Sequence, residues 1–250
     1  MAGVVNAYDA DTGSLVWSYD ASDPFNEILW GNSWPIQPVF ITDGKIYLGH
    51  SEHSPVDPKP RGAPFICLDL DDGTVVWRAD GLFRQTDWGG NAILGDSIIA
   101  TMDSYDQRIY AIGKGASKTT LVASPKGATV GSSVLLEGMI TDISPGTKDI
   151  EITTRFPNGV AAVADESMDE WMKYVYKQMA RPTDPQGVTV IFSAVDPNGN
   201  YMDIDRTTTD SNGHYSFSFR PELEGIYTII ATFEGTEGYF GSYTQTAIVV

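Results

Sequence analysis

The chain has 250 residues, enough for one or two domains with their own hydrophobic cores. Its 16 Lys and Arg against 33 Asp and Glu give a net charge of −17, which would repel nucleic acid and anionic lipid, so we expect no nucleic-acid partner. The 25 Gly and 14 Pro, with 12 Tyr, 10 Phe and 6 Trp, favour strands and turns and predict an all-β protein.

A repeated phrase opens the chain. Residues 7–17 (AYDADTGSLVW) return at 66–77 (ICLDLDDGTVVW), and in each copy an apolar strand enters an Asp-rich turn with a Gly and continues into a strand ending in Trp. Short carboxylates can bond the turn amides and Gly can take positive φ, so both copies are predicted to be tight hairpins, with the Trp packed between neighbouring sheets. The residues that define the repeat are Asp9, Asp11, Gly13 and Trp17 in the first copy and Asp69, Asp71, Gly73 and Trp77 in the second.

A third, partial copy follows over residues 92–113 and lacks its own closing Trp strand. Four short strands per roughly 40 to 60 residues is the spacing of a β-propeller. The phrase resembles the pyrroloquinoline-quinone-type (PQQ-like) β-propeller repeat, and the resemblance covers residues 1–115. It implies a partial propeller, one full blade between two partial blades. Propellers close with about four to eight blades, so we expect the chain to be a fragment of a longer protein.

A second domain is predicted over residues 116–250. Alternating apolar segments and hairpin turns predict around seven strands packed as a β-sandwich. The phrases at 209–219, 221–228 and 247–250 resemble a bacterial-type Ig-like domain. Residues 155–185 break the strand pattern: Ser167 to Glu170 have the spacing of a capping box and precede apolar residues at helical intervals, so one inserted helix is predicted near 167–179. We expect this helix to pack on the sandwich or on the last blade.

The combination of such repeats with this sandwich resembles archaeal cell-surface proteins, in which a propeller precedes an Ig-like domain and a membrane anchor. The resemblance implies an extracellular or cell-surface location. The sequence itself shows no signal peptide and no apolar run of about 18 residues. Membrane attachment is therefore expected only through an anchor that lies outside this sequence.

The residue pattern gives little support for metal or cofactor chemistry. A calcium loop needs about six oxygen ligands and a closing acidic residue, whereas both acidic turns reach a Gly at their fifth position, so we predict hairpin turns and no metal site. The lone Cys67 cannot form an intramolecular disulfide and is predicted to be a small buried hydrophobe. No catalytic residue is assigned, because no nucleophile elbow, phosphate loop or zinc-protease motif is present.

Two aromatic loops are candidate ligand sites. Trp30 and Trp34 precede the first strand of one blade, and Asp87 and Trp88 hold the equivalent place before the next. Exposed Trp beside Asp and Asn can hold carbohydrate or peptide ligands by stacking and directed hydrogen bonds. The alternative is that these Trp side chains cover the ends of the blades.

A third candidate is the segment around His50 and His53. Two imidazoles and the Glu52 carboxylate within four residues could bind zinc or serve acid–base chemistry. The segment continues into a Pro-rich stretch without helical spacing, so the alternative is a surface loop between two blade strands.

Two functions remain open at this stage. The first is a non-catalytic scaffold at the cell surface, with propeller repeats on an Ig-like stalk, that binds a protein or carbohydrate ligand and meets missing blades or another chain at its open blade edges. The second is a fragment of a PQQ-dependent oxidoreductase whose catalytic blades lie elsewhere. Only the second would use PQQ and calcium as cofactors.

Overall fold

The computed structural model describes residues 3–25, 33–50, 64–82, 92–103 and 107–250. Within them the protein consists of β-strands with one helical insertion, which confirms the all-β prediction. The chain divides into two compact units, Met1–Gly113 and Lys114–Val250. None of the helices in the described ranges is both long and apolar enough to cross a membrane.

The first unit is a series of three antiparallel sheets. The first sheet is a hairpin of β1 (Val4–Tyr8) and β2 (Leu15–Asp20), and the second is a four-stranded meander. Among the described strands, no sheet closes on itself. The strands of the second sheet, in spatial order, are β3 (Ile36–Thr42), β4 (Lys45–His50), β5 (Phe65–Asp69) and β6 (Val75–Ala79), and those of the third are β7 (Ile93–Gly95), β8 (Ile98–Asp103) and β9 (Arg108–Ile112).

Two cores join these sheets. The alternation of β4 and β5 places Leu48 and Ile66 on one side and Tyr47 and Phe65 on the other. The first side packs against the hairpin in a cluster that we call the Trp17 core: Trp17, Ala21, Trp34, Ile46, Leu48, Ile66 and Leu68. The second side packs against the third sheet in a cluster that we call the Trp77 core, whose buried members are Phe65, Leu82, Ala92 and Ile99, with Tyr47, Trp77, Tyr110 and Ile112 partly buried against them.

The second unit is a β-sandwich. In one sheet, the long strand β12 pairs with β10 and β11 along one edge and with β13 and β16 along the other, and the second sheet has the order β15-β14-β17-β18. Side chains from both sheets form one core, which includes Leu136, Phe192, Tyr215 and Ile229. The strands are β10 (Ser117–Thr119), β11 (Val122–Ser124), β12 (Val134–Asp142), β13 (Val160–Ala161), β14 (Thr189–Val195), β15 (Tyr201–Thr208), β16 (His214–Phe219), β17 (Ile226–Gly235) and β18 (Phe240–Val249).

A helical insertion lies between β12 and β14. It contains a 3-10 turn (Pro145–Lys148), α1 (Ile150–Arg155) and α2 (Asp165–Lys177). The predicted helix near 167–179 is thus present as α2, but it begins two residues earlier and ends two residues earlier. Trp171 and Val175 are buried against α1 and β13, and Met168 and Met172 also contact the sandwich core, so the expected packing on the sandwich is confirmed.

The predicted capping box is wrong. The residue before α2 is Ala164, which makes no side-chain cap, and Ser167 lies inside the helix, where its hydroxyl accepts the backbone N–H of Gln186 at 2.8 Å. Asp165, in the first turn, accepts the backbone N–H groups of Glu237 and Gly238 at 2.8 and 2.9 Å. A tertiary contact with the turn between β17 and β18 therefore fixes the beginning of this helix.

Candidate functional sites

The turn of the first repeat copy is organised by Asp9. One of its carboxylate oxygens accepts the backbone N–H groups of Asp11 and Thr12 at 3.2 and 2.7 Å and the Thr12 hydroxyl at 2.7 Å. These bonds favour the ionised carboxylate, with the Thr12 hydroxyl first, and hold the pKa of Asp9 below its usual range. Gly13 closes the turn with φ +70°, so the hairpin interpretation is confirmed for this copy.

The second copy divides the same task between two carboxylates. Asp69 accepts the backbone N–H of Asp71 at 2.8 Å, and Asp72 accepts the N–H and hydroxyl of Thr74 at 2.9 and 2.7 Å. The Thr74 hydroxyl is the main cause that lowers the pKa of Asp72. Gly73 has φ +73°. In the described ranges, no group of three or more His, Cys, Asp or Glu side chains is placed to hold a metal ion.

Trp17 links the first sheet to the second. Its indole Nε1–H donates to the carbonyl of Leu70 at 2.9 Å, and its ring lies over Gly73, where an added Cβ would stand 2.6 Å from Trp17 Cδ2. Its exposed fraction is only 8%. Trp77 is partly buried in the Trp77 core between the second and third sheets, together with Ile99, and it meets Phe65 of its own sheet edge to face with ring centroids 5.3 Å apart. The prediction that the repeat Trp side chains pack between neighbouring sheets is confirmed.

Trp34 and His50 are candidate ligand-binding residues in the sequence, and the structure contradicts that role for both. Both side chains are fully buried, and their rings meet edge to face with centroids 5.1 Å apart. The backbone N–H of Trp34 donates to the carbonyl of Ala21 at 2.8 Å, which ties this segment to the hairpin and directs the indole into the Trp17 core. His50 ends β4 on the same side as Leu48, and its Nδ1 lies 2.9 Å from the carbonyl of Pro35. Neither ring offers a face to a ligand.

The other candidates divide into two groups. Trp30, His53, Asp87 and Trp88 lie outside the described residues, so their predicted roles stay predictions. Cys67 is buried in β5, and burial raises the pKa of its thiol to about 11, so it is a neutral thiol at physiological pH, as expected of a small hydrophobe.

The sequence pattern did not single out Arg78. Its guanidinium donates to Asp80 Oδ1 at 2.9 Å, to the carbonyl of Ser22 at 2.6 Å and to the Tyr19 hydroxyl at 3.3 Å. These contacts join β6 to the first hairpin beside the Trp17 core. Arg78 is not part of the repeated phrase, because the first copy has Ser18 at the equivalent position. Comparison of the two copies therefore gave no indication of its role.

Comparisons with known proteins leave the functional assignment open. No family model and no curated protein matches the sequence. Similar solved structures include a beta-glycosidase from Bacteroides vulgatus, at 14% identity over 84% of this chain and 25% of that chain with a TM-score of 0.30. The chain thus spans about a quarter of that glycosidase.

Two further similar structures are receptor or Ig-type molecules. The chicken interferon gamma receptor alpha chain matches at 12% identity over 82% of this chain and 92% of that chain, with a TM-score of 0.30. The amphioxus IgVJ-C2 molecule matches at 12% identity, 72% and 84% coverage and TM-score 0.23. Similarity at this level supports no argument about function.

Proposed function

We propose that the protein is a non-catalytic binding or assembly scaffold of the cell surface, in which PQQ-like propeller blades are carried on an Ig-like sandwich. The Trp17 contact is the observation that supports this proposal best. Residues of the repeated phrase itself join one sheet to its neighbour, because the Trp17 ring of one copy lies over Gly73 of the next. Such side-by-side stacking of equivalent units is how repeat proteins build extended interaction surfaces.

Three titratable side chains in the described part of the first unit have structural roles. Asp9 and Asp69 bond the amides of their own turns, and His50 is buried with its ring against Trp34, a member of the Trp17 core. A calcium site needs carboxylates whose oxygens converge on the ion, whereas Oδ1 of Asp9 and Oδ1 of Asp69 accept turn amides. These contacts support hairpin turns without a calcium ion in our proposal, and we derive no catalytic step for them.

The second unit supports the Ig-like part of the proposal through its strand order. When β10 and β11 are counted as one interrupted strand and the two-residue β13 of the insertion is left out, seven strands remain. One sheet then holds the first, second and fifth, and the other holds the fourth, third, sixth and seventh. The chain thus crosses from one sheet to the other after the second, fourth and fifth strands, and such crossings are typical of Ig-like sandwiches. The helical insertion follows the second strand and leaves this order unchanged.

A cofactor reconstitution experiment tests the non-catalytic part. The full chain is incubated with PQQ and calcium, desalted, and assayed for quinone absorbance and for dye-linked oxidation of alcohols and sugars, with an established quinoprotein dehydrogenase as the positive control. We expect neither retained absorbance nor dye reduction. Stoichiometric, calcium-dependent PQQ retention together with dye reduction would overturn the proposal in favour of an oxidoreductase.

A binding experiment tests the scaffold part. Fluorescently labelled chain is titrated onto cell-envelope fragments that are untreated, protease-treated or oxidised with periodate. A scaffold should bind the untreated fragments saturably and lose binding after one treatment, protease if the ligand is a protein and periodate if it is a carbohydrate. Absence of saturable binding to untreated fragments would contradict a cell-surface scaffold.

A further inference from the structure

In the described ranges, no strand pairs with the outer edge of β9, whereas the equivalent strands of the other two sheets, β1 and β5, each have a further strand at that edge. The third sheet has the order β7-β8-β9, and in the described part of the chain β9 pairs only with β8. In the other sheets, β1 pairs with β2 and β5 pairs with β6. Both added strands place a Trp opposite a small residue, because Ala7 lies opposite Trp17 and Cys67 lies opposite Trp77.

The position equivalent to Cys67 in the third sheet is Ala111. The turns before β4 and β8 have the same shape, with positive φ at Asp43 and Gly44 in one and at Asp96 and Ser97 in the other. Tyr47 lies three residues after Gly44, and Ala100 lies three residues after Ser97. Tyr47 of β4 and Ala100 of β8 are therefore equivalent positions. The pairing partner of Tyr47 is Cys67 and that of Ala100 is Ala111. The third sheet thus has the small residue, but no Trp of a described strand lies opposite it.

The backbone groups of this edge face away from the sheet. Gln107 N–H donates to the carbonyl of Asp103 at 2.9 Å, so that carbonyl is directed toward β9. Antiparallel strands alternate the direction of their backbone groups, and Asp103 lies opposite Arg108, so Arg108, Tyr110 and Ile112 bond to β8. The N–H and C=O groups of Ile109 and Ala111 therefore face outward.

The side chains beside this edge form an exposed apolar face. Ile109 is 78% exposed, Ile93 69%, Ile98 48% and Met102 37%, and the pairing register places all of them on the same side as Ala111. The equivalent side of the second sheet carries Phe65 and Trp77 and is covered in the Trp77 core. An open edge beside an exposed apolar face is a surface that soluble proteins normally cover or pair.

We infer that β9 is a docking edge for an extended segment of a partner polypeptide that carries two apolar residues followed by Trp. The segment adds antiparallel to β9, with its Trp opposite Ala111 and its ring over the apolar face. The chain itself shows this chemistry twice, in Leu15-Val16-Trp17 and in Val75-Val76-Trp77. The inference rests on the assembly role proposed above and names the class of partner, a strand recognised by main-chain hydrogen bonds and one aromatic side chain.

The test uses the chain's own strand sequence as the probe. A fluorescein-labelled peptide of residues 73–80 (GTVVWRAD) is titrated into the full chain and followed by anisotropy. We expect saturable one-to-one binding that weakens by about tenfold when Trp in the peptide is replaced by Ala. Ala111→Pro removes an outward N–H from an edge strand and should weaken binding by about tenfold. The matched control, Leu94→Pro, changes the opposite edge of the same sheet and should leave binding within about twofold.

Amide exchange gives a second, independent measurement on the unmodified chain. Added peptide should slow exchange at Ile109 and Ala111 by about tenfold and leave Tyr110, already bonded to β8, unchanged. Equal binding of a scrambled peptide, or unchanged exchange at Ile109 and Ala111 at saturating peptide, would overturn the docking edge. That failure would leave the cofactor and envelope experiments unaffected, so the two proposals fail separately.

Discussion

A pair of glycine substitutions isolates the contact that joins the first two sheets. Gly13 and Gly73 close equivalent turns with φ of +70° and +73°. An added Cβ at Gly13 would meet nothing within 4 Å, whereas at Gly73 it would stand 2.6 and 2.7 Å from two carbons of the Trp17 ring. Gly13→Ala therefore measures the backbone strain alone, and Gly73→Ala measures the same strain plus displacement of Trp17.

The expected costs differ by more than experimental error. Left-handed backbone costs an Ala about 1–2 kcal/mol relative to Gly. Forcing extra atoms into a packed contact costs about 1–3 kcal/mol more. We therefore expect Gly13→Ala to lower the free energy of unfolding of the first unit by about 1–2 kcal/mol and Gly73→Ala by about 2–5 kcal/mol.

Urea unfolding of the full chain, followed by far-UV circular dichroism and Trp fluorescence, measures both values. A double-mutant cycle combines each glycine substitution with Trp17→Leu, because the smaller Leu side chain leaves room for a methyl group at position 73. In that background the two glycine variants should cost the same within about 0.5 kcal/mol. Equal costs of the two variants in the presence of Trp17 would refute the view that Gly73 is required by the ring above it.

Three further predictions concern the second unit. Its core lies within one compact unit, so residues 114–250 expressed alone should unfold in a single cooperative transition by calorimetry. Asp165→Ala removes a carboxylate that accepts two N–H groups and should lower the free energy of unfolding of residues 114–250, measured by urea titration, by about 1.5–3 kcal/mol. Ser167→Ala removes one neutral hydrogen bond and should lower it by about 1 kcal/mol. Burial raises the pKa of Asp142 in the folded state, because it disfavours the charged carboxylate. The stability that the neutral carboxyl group contributes is fully present below the ordinary carboxyl pKa and is lost as the pH rises through the raised pKa of the folded state. Asp142→Asn should therefore raise the melting temperature at pH 7 and leave it unchanged below about pH 3.

The repeat turns were predictable because every interaction that forms them is local. Asp9 bonds groups two and three residues away, and Gly13 needs only its own backbone freedom. The phrase therefore contains all the information required for the hairpin. The seven-strand pattern of the second unit is predictable for the same reason, since its turn residues and alternation are read within short windows.

The positions that the sequence did not indicate depend on partners far along the chain. Polar and Gly neighbours around Trp34 suggested exposure, but its indole enters a core completed by Ile66, which is distant in sequence. The first turn of α2 is set by Asp165 and a turn some seventy residues later, whereas the local Ser-x-x-Glu signal at Ser167 is satisfied differently. Local propensity gives way here to tertiary contacts.

The two ends of the sheet series differ, and the difference gives the proposed assembly a direction. On the outer side of the first hairpin, the polar Asn6 and Ser18 lie exposed among the apolar Val4, Tyr8 and Leu15. Asn6 stands where the second copy has the fully buried Ile66. The outer side of the third sheet carries Ile93 and Ile109 instead. A polar residue at a core-facing position disfavours the packing of another sheet there, because its buried amide would need partners. The third sheet has no such obstacle, so a partner that extends this series should add at β9 rather than at β1.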